Sequence, residues 1–466
     1  MDTVDAPFSR ISKLLVDRDE TSVEEALAQR RQFAVTLRCG ADVALSYTLQ
    51  LAVLSAANIA SRCFPGAVRF GLPPGVAEAP LLIWPGLKQT FGGALASVAG
   101  PDALVTGDRA PGRTVIFGNA DPIKGAMRVT FDGWIAKVGP AAQVKRMAER
   151  EYCPLAGVLV AALALSELFL SFTDISVEAG RRTLALSLWK PDVAVSDPSA
   201  LGIPVKFLPR ELWILGLGHL GNAYLWCLAS LPYSAPDDTQ FFLNDFDDIE
   251  DENVETSLLF EAGNIGGFKT RACNAWLEAR RFQTRLIERR FDGNFCRRDD
   301  EPGLALCGFD SNPARRDLAA AEFLRVIESG LGGTPNNFDT ISLHTLPNPR
   351  PVNDLWPDLA PDEAARIKDH EERIARENAA YMRIGGNECG RYGLAGKSIA
   401  VPFVGAAAAT LVVAEILRLL HRGPAYTGIK LSMSSINARA AKPNGNYSAR
   451  DFVGLNYTPA RTLEHP

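Results

Sequence analysis

The chain has 466 residues, enough for two or three domains, and its 47% hydrophobic and 22% charged residues predict packed globular cores. Its formal net charge of −5 argues against a nucleic-acid-binding surface. The eight cysteines contain no Cys-x-x-Cys pair, so we expect reduced thiols in a cytoplasmic protein, without a structural zinc site or a disulfide framework.

The first two hundred residues contain one strand–turn–helix pattern. An apolar stretch at 33–39 leads into Gly40, and a helical run follows at 45–63. Further short strands are predicted at 68–70, 81–84, 114–117 and 129–131. A segment rich in proline, serine and glycine at 193–209 then predicts a link to a second half.

Two long apolar segments, 154–172 and 402–420, resemble each other at a constant offset of 248 residues. Proline, glycine, alanine, leucine and glutamate coincide in the two segments, which favours an internal duplication over a chance match of composition. Each segment contains a glutamate, Glu167 or Glu415, and the uncharged part is too short to cross a bilayer. The N-terminus also lacks the features of a signal peptide. We therefore predict two buried helices and no membrane segment.

The second half opens with a Gly-x-Gly-x-x-Gly motif formed by Gly216, Gly218 and Gly221. An apolar strand at 212–215 precedes the motif, and a helical segment at 223–231 follows it. This arrangement is typical of loops that hold nucleotide phosphates on backbone N–H groups at a helix N-terminus. By itself, however, the motif does not identify the nucleotide.

Strands and helices alternate after the motif, which predicts a mostly parallel sheet in an α/β fold. The predicted strands are 212–215, 241–244, 285–290, 304–309 and 340–344. A charged stretch at 361–381 is predicted to be a solvent-exposed helix in an insertion.

Polar residues follow the glycine motif in an informative order. Asp245 ends the second predicted strand and can bind a ribose, and Asp247 lies close to it. Asn253 and Lys269 come next, and Asp310 ends a later strand. A lysine for phosphate charge and a strand-end aspartate for Mg²⁺ suit a nucleoside triphosphate, whereas a nicotinamide cofactor needs neither. The order therefore indicates a nucleoside triphosphate with Mg²⁺.

With the Pro-Phe-Val-Gly segment that begins at Pro402, this order resembles the ubiquitin-activating enzyme, ThiF and MoeB adenylation family. An inactive half followed by an active half most resembles the BilD-type bacterial activating enzymes of ubiquitin-like antiphage conjugation systems. The resemblance implies two Rossmann-like, ThiF-type halves, the first degenerate and the second with the nucleotide loop. It divides the chain into an inactive half at 1–200 and an active half at 201–466, with a crossing-loop and cysteine insertion around 345–398.

The resemblance also implies a role for each matching residue. The three glycines hold the phosphate region, Asp245 with Asp247 binds the ribose, Asn253 and Lys269 contact the phosphates, and Asp310 binds Mg²⁺. Arg10 matches an arginine that the partner half contributes, although a surface arginine fits equally.

The chain departs from the family pattern after Asn253. Thr256 and Ser257 stand where the family has arginine and glutamine. One expectation is that Arg10, or Arg315 and Arg316, supplies the positive charge that the missing family arginine would bring to the phosphates. The other expectation is a weakened ATP site.

Family members that conjugate also use a thioester-forming cysteine. Cys389 fits best, because it lies in a glycine-rich segment with Arg391 and Lys397 nearby, directly before Pro402. Cys296 is the second candidate, and adenylation without a thioester is the third possibility. The buried patterns around Cys227, Cys273 and Cys307 predict core residues.

The function that the resemblance implies is ATP-dependent adenylation of the C-terminus of a ubiquitin-like protein, then thioester formation and transfer to a conjugating enzyme. The alternatives are a sulfur-carrier adenylyltransferase, a nicotinamide-dependent oxidoreductase and a non-catalytic scaffold. The expected partners are a ubiquitin-like protein and a conjugating enzyme, with no nucleic acid and no membrane. A homodimer is compatible with the pattern.

Overall fold

The computed structural model describes residues 9–100, 103, 113–358, 360–378, 381, 395–444 and 455–463. Each half of the chain forms one mixed sheet, and the long apolar helices of both halves pack together between them. A single large hydrophobic core contains residues of both halves, so the two sheets belong to one packed unit.

The first half consists of the following helices and strands: α1 (Ser12–Asp19), α2 (Val23–Arg30), β1 (Ala34–Cys39), α3 (Tyr47–Cys63), β2 (Ala67–Gly71), α4 (Phe91–Ala99), β3 (Arg113–Phe117), β4 (Met127–Asp132), β5 (Ile135–Pro140), α5 (Leu155–Phe172) and β6 (Leu184–Ser187). Local signals set several boundaries. Ser22 and Glu25 form a capping box at the start of α2, and the Ser46 hydroxyl accepts the Leu49 N–H at the start of α3.

The second half consists of these elements: β7 (Phe207–Pro209), β8 (Glu211–Leu215), α6 (His219–Ala229), β9 (Gln240–Asn244), α7 (Asp251–Thr256), α8 (Lys269–Glu278), β10 (Gln283–Ile287), β11 (Leu304–Cys307), α9 (Asn312–Asp317), β12 (Arg325–Leu331), β13 (Thr340–Leu346), α10 (Val352–Leu355), α11 (Pro361–Glu377), α12 (Pro402–Leu420), β14 (Tyr426–Ser432), β15 (Ala440–Pro443) and β16 (Tyr457–Pro459). β7 pairs with β16 outside the main sheet.

The two sheets share one topology. The first has the strand order β2-β1-β3-β4-β5-β6, and the second contains the matching series β9-β8-β11-β12-β13-β14. In both series the first four strands are parallel, and the last two are added antiparallel. The fold is thus α/β with two Rossmann-like halves, and the common strand order supports the predicted duplication.

The two helices of the sequence repeat, α5 and α12, occupy equivalent places in chain order. Each connects the two antiparallel strands of its half, β5 to β6 and β13 to β14. The two helices pack against each other, α5 also against α3, and α12 also against α6. Both helices are long and apolar enough to span a membrane, but 89% and 94% of the residues in their apolar windows are buried in the protein. The prediction of two buried helices is therefore confirmed.

The glutamates of the repeat do the same work in both helices. Glu167 accepts the Gly180 N–H at 2.9 Å and pairs with Arg182 at 2.7 Å. Glu415 accepts the Tyr426 N–H at 3.1 Å and pairs with Arg418. Each fully buried carboxylate thus ties its helix to the chain entering the next strand, which explains why the charge persists inside an apolar helix.

Some sequence predictions were wrong in detail. The segment 81–84 is an irregular loop rather than a strand, because Pro80 and Pro85 bracket it. Leu81 and Ile83 are buried, although they belong to no β-strand. The strand predicted at 285–290 is β10, displaced toward the N-terminus. The sequence analysis missed several strands whose apolar pattern is short or interrupted: β5, β6, β7, β12, β14, β15 and β16.

The charged helix α11 is exposed along most of its length, as predicted, but its C-terminal end is packed. Ala375 and Tyr381 join α1 and α2 in a small hydrophobic cluster. The Tyr381 hydroxyl donates to Asp17 at 2.7 Å and accepts from Lys13 at 2.9 Å. The insertion is thereby attached to the first half of the chain.

Candidate functional site

The glycine loop between β8 and α6 uses its three glycines differently. Gly216 has φ +78°, a conformation that L side chains rarely adopt. A Cβ on Gly221 would collide with the carbonyl oxygen of Gly216, so this glycine permits close packing of helix on loop. A Cβ on Gly218 would meet no heavy atom within 4 Å, so the backbone here is open to a ligand. The loop has the form that the motif predicted.

Asp245, directly after β9, holds this loop in place. One carboxylate oxygen accepts the Leu217 N–H at 2.6 Å, and the other accepts the Asp247 N–H at 2.9 Å. Burial raises the pKa of Asp245, and the neighbouring Lys269 charge opposes that rise. Because both oxygens are engaged and the residue is 8% exposed, its described contacts are those of a loop-positioning group.

Asp247 and Lys269 form an ion pair at 2.8 Å beside the loop. The Lys269 side chain is 11% exposed, whereas that of Asp247 is 47% exposed. Asp247 is therefore better placed than Asp245 to accept hydrogen bonds from a ribose, while Lys269 provides a partly buried cation. Asn222, which the sequence reasoning did not single out, donates to the Leu217 carbonyl at 2.6 Å and accepts the Leu259 N–H at 3.0 Å.

Asn253 lies on α7, 9% exposed, and its side-chain oxygen accepts the Glu250 N–H at 3.0 Å. Thr256 and Ser257, in the positions where arginine and glutamine were expected, are buried and bring no charge. The Thr256 hydroxyl donates to the Glu252 carbonyl at 3.0 Å. At these two positions the structure offers no cation to a phosphate.

Asp310 is exposed, three residues beyond β11, at the edge where parallel strands end. Within the part of the chain that the structure describes, no group of three or more histidine, cysteine, aspartate or glutamate side chains could hold a metal ion. A single carboxylate still suits Mg²⁺, which commonly binds one or two carboxylates together with nucleotide phosphates and water.

Arg10, from the first half, reaches this edge of the second half. Its Nε donates to the Ser398 carbonyl at 2.7 Å, just before α12. Burial lowers the pKa of Arg10, and the charges of Glu252, Asp310 and Glu250 raise it. The guanidinium thus lies in the field of Asp310, the predicted metal-binding aspartate.

Arg315 and Arg316, the other expected sources of compensating charge, both have partners within the protein. Arg315 donates to the Phe309 carbonyl at 2.6 Å and pairs with Glu328 at 2.8 Å. Arg316 donates to the Trp356 carbonyl at 2.7 Å and pairs with Asp358 at 2.5 Å. Arg10, by contrast, reaches this edge from the other half of the chain, and the charge of Asp310 raises its pKa.

His219, at the start of α6, is a second residue that the sequence reasoning missed. Its ring packs on Gly405 in the first turn of α12, where a Cβ would collide with the ring. The Nε2 atom is buried without a hydrogen-bond partner in the described structure. Burial, together with the smaller effect of the Arg10 charge, lowers the pKa of His219 to about 3. The imidazole is therefore neutral at physiological pH.

The cysteines divide into buried and exposed groups. Cys227, Cys273 and Cys307 are fully buried, as predicted, and burial raises the pKa of each thiol. Cys296 is exposed, but hydrogen bonding to Glu322 raises its thiol pKa, which disfavours the thiolate. Cys389 lies outside the described residues.

Both flanks of the Cys389 segment are described. Tyr381 binds Lys13 and Asp17, while Lys397 pairs with Glu252 at 2.5 Å. The flanks are thus attached to α1 and α7.

A cavity of about 900 Å³ lies between the halves, next to α7. Its walls include Trp84, Trp226 and Trp276, and the α7 residues that line it are on the face away from Asn253. The cavity is therefore distinct from the glycine-loop site.

Similar solved structures include E. coli MccB with MccA-N7isoASN, at 16% identity and TM-score 0.37, covering 51% of this chain and 65% of that chain. The MccB structure with ATP has 13% identity and TM-score 0.36, covering 69% of this chain and 95% of that one. E. coli tRNA N6-threonylcarbamoyladenosine dehydratase, TcdA, has 14% identity and TM-score 0.29, covering 46% and 86%.

Sequence comparison is more specific. Residues 34–188 match the BilD N-terminal domain, and residues 208–423 match the BilD C-terminal domain. The bacterial E1-like protein BilD of Collimonas sp. (strain OK412) is 36% identical over 440 residues, which cover 92% of this chain and 91% of that protein. The order of the two matched domains and the extent of the match to this relative show that the chain belongs to the BilD family of bacterial E1-like proteins.

Proposed function

We propose that this protein uses ATP to adenylate the carboxyl terminus of a ubiquitin-like protein. The observation that carries the proposal is the meeting, at one sheet edge, of an open glycine loop, the Asp247–Lys269 pair, Asp310 and Arg10 from the other half. The E1-like name of the Collimonas relative supports the same chemistry.

In the proposed reaction, a carboxylate oxygen of the ubiquitin-like protein attacks the α-phosphorus of ATP. The bond from that phosphorus to the bridging oxygen breaks, and pyrophosphate leaves with the oxygen. An acyl-adenylate remains. No side chain has to move a proton in this step, so positioning and charge stabilisation provide the catalysis.

Each residue then has a role that its position permits. Backbone N–H groups at the start of α6 face the phosphates across the open Gly218, and Asp247 accepts from the ribose. Lys269, Asn253 and Arg10 bind phosphate oxygens. Asp310 would hold Mg²⁺, which neutralises phosphate charge when bound.

We propose that Cys389 takes the acyl group next. Its thiolate attacks the acyl carbonyl carbon, AMP leaves, and a thioester forms that a conjugating enzyme's cysteine can accept in turn. The attachment of both flanks to α1 and α7 supports this, because Cys389 lies nine positions before Ser398, whose carbonyl accepts from Arg10. Such a stretch reaches roughly 30 Å when extended. The proposal places the protein in a ubiquitin-like conjugation pathway of antiviral defence, as the sequence resemblance implies.

The test of adenylation is ATP–pyrophosphate exchange with the purified chain, Mg²⁺ and the cognate ubiquitin-like protein. We expect exchange that requires both partners and an intact carrier C-terminus. Absence of exchange, with a nicotinamide dinucleotide bound instead, would contradict the proposal and support the oxidoreductase alternative.

The thioester is tested separately on non-reducing gels. Wild type and Cys296→Ala should form a thiol-sensitive adduct with the carrier, whereas Cys389→Ala should retain exchange and form none. Full downstream transfer by Cys389→Ala would instead indicate a sulfur-carrier type of adenylyltransferase.

A further inference from the structure

The segment that carries Arg10 is held by an unusual buried arginine. Arg30, at the C-terminal end of α2, is 1% exposed. Its Nη1 lies within hydrogen-bond distance of three oxygens: Ser9 Oγ at 2.7 Å, Ser12 Oγ at 2.8 Å and Glu255 Oε1 at 2.6 Å. One guanidinium thus contacts both the start of α1 and the end of α7.

Ser9 completes the connection. Its hydroxyl donates to Glu255 Oε2 at 2.5 Å and accepts the Ser12 N–H at 2.9 Å at the start of α1. Arg10 follows Ser9 directly, and Thr256 follows Glu255. The hydrogen-bonded cluster therefore joins the residue before Arg10 to the helix that carries Asn253 and Glu252, across 246 residues of sequence.

Burying the Arg30 guanidinium costs desolvation free energy. The Nε of Arg30 has no partner in the described structure, and a buried ion pair seldom improves stability over well-packed apolar side chains. What such a pair supplies is a defined geometry between two segments. Here the segments come from different halves, and one of them carries Arg10, the proposed phosphate-binding arginine.

We propose that Arg30 is a positioning residue for Arg10, acting with Ser9 and Glu255 as a latch that sets the guanidinium of Arg10 against the nucleotide edge. The inference rests on the proposed adenylation. The latch acts through Arg10 alone, so it has no effect on catalysis when Arg10 is absent.

A double-mutant cycle tests this with the full chain, Mg²⁺ and the cognate ubiquitin-like protein in ATP–pyrophosphate exchange. Arg30→Gln should lower kcat at least tenfold with less change in the KM for ATP, and Arg30→Lys should restore part of it. In the Arg10→Ala background, Arg30→Gln should change the rate less than twofold. If the rate loss of the double variant equals the product of the two single-variant losses, the proposal is overturned.

Arg128→Gln is the matched control, because Arg128 is a buried first-half arginine that donates to the Gly118 and Ala120 carbonyls instead. It should lower stability without lowering exchange per folded molecule. An equal loss of exchange in this control would show that Arg30 acts only through stability. If Arg30→Gln does not fold, Glu255→Gln, whose side chain is 23% exposed, replaces it in the cycle.

Amide hydrogen exchange separates this proposal from the proposed function. Arg30→Gln should increase the rate of amide hydrogen exchange in residues 9–19 and 251–256 together, and Arg128→Gln should not. Wild type without pyrophosphate exchange but with this coupled response would refute adenylation and leave the latch intact. Unchanged protection in both segments would overturn the latch itself.

Discussion

The two halves share a strand order, yet their first loops differ in what occupies them. In the second half, two residues after the first glycine, Gly218 leaves open space above the loop. In the first half, the residue two after Gly40 is Asp42, whose carboxylate accepts the Asn119 N–H at 3.0 Å and pairs with Arg146. An internal carboxylate thus occupies the first loop, where a backbone N–H and a cation would otherwise meet an anionic ligand.

The sheet registers extend this comparison to the two aspartates. Cys39 and Leu215 are aligned with Phe117 and Cys307 in the neighbouring strands, so Asp310 corresponds to Ala120. By the registers of β1 with β2 and of β8 with β9, Asp245 corresponds to Pro73. The first half retained the strands and the repeat helix but has neither carboxylate. The same fold therefore occurs with and without the candidate ligand-binding residues, since packing depends on apolar faces and the site depends on a few loop residues.

The largest expected effect is at Asp310. Asp310→Asn keeps the shape of the side chain but removes the charge for Mg²⁺, so exchange should fall by about 10²–10³-fold. ATP–pyrophosphate exchange at several Mg²⁺ concentrations measures the loss. A rate within threefold of wild type would remove Asp310 from the site and weaken the contrast with Ala120.

The glycines give the next largest effect. Gly221→Ala puts a Cβ against the Gly216 carbonyl and should destabilise the protein by about 3 kcal/mol in urea unfolding. Gly218→Ala has room for its methyl group and should unfold like wild type while losing ATP affinity. Equal stability losses in the two variants would mean that Gly218 is a packing residue as well.

Asp42→Ala probes the occupied loop of the first half. It leaves the Asn119 N–H without its acceptor, so stability should fall by about 2 kcal/mol. Exchange per folded molecule should stay within twofold of wild type, because this half has no proposed ligand. A selective loss of exchange would show that the first loop also serves the reaction.

The smallest effect concerns His219, whose position is taken by Val43 in the first half, three residues after the glycine. The pKa of His219 is about 3 in the folded protein, below its unfolded value, so the unfolded chain binds the extra proton as the pH falls. Stability should decrease by about 1 kcal/mol between pH 6.5 and 5.5 for this reason. Urea unfolding of His219→Val should lack that portion of the pH dependence. An unchanged slope would show that the imidazole is not held neutral.

Local patterns in the sequence account for much of this architecture. The glycine spacing predicted the loop because each glycine answers a local constraint of dihedral angle or close approach. The repeat around Glu167 and Glu415 predicted two buried helices, because a proline start, small residues and one carboxylate recur in register. The resemblance to the ThiF and MoeB adenylation family rests on the same local motifs, whereas the BilD-type assignment rests on the order of an inactive and an active half in one chain. The family comparison confirmed the BilD-type assignment.

Only the tertiary structure decided which side chains share the site. Asp245 was expected at the ribose, but its contacts with Leu217 and Asp247 depend on how β8 lies beside β9. The contacts of Arg315 with the Phe309 carbonyl and with Glu328 likewise depend on the tertiary structure.

The latch of Arg30, Ser9 and Glu255 had no sequence signal, because its members are separated by up to 246 residues and hydrogen bonds between distant segments leave no local periodicity. The sequence by itself therefore determined the glycine loop, the two repeat helices and the family. The packing of one half against the other decided which charges meet.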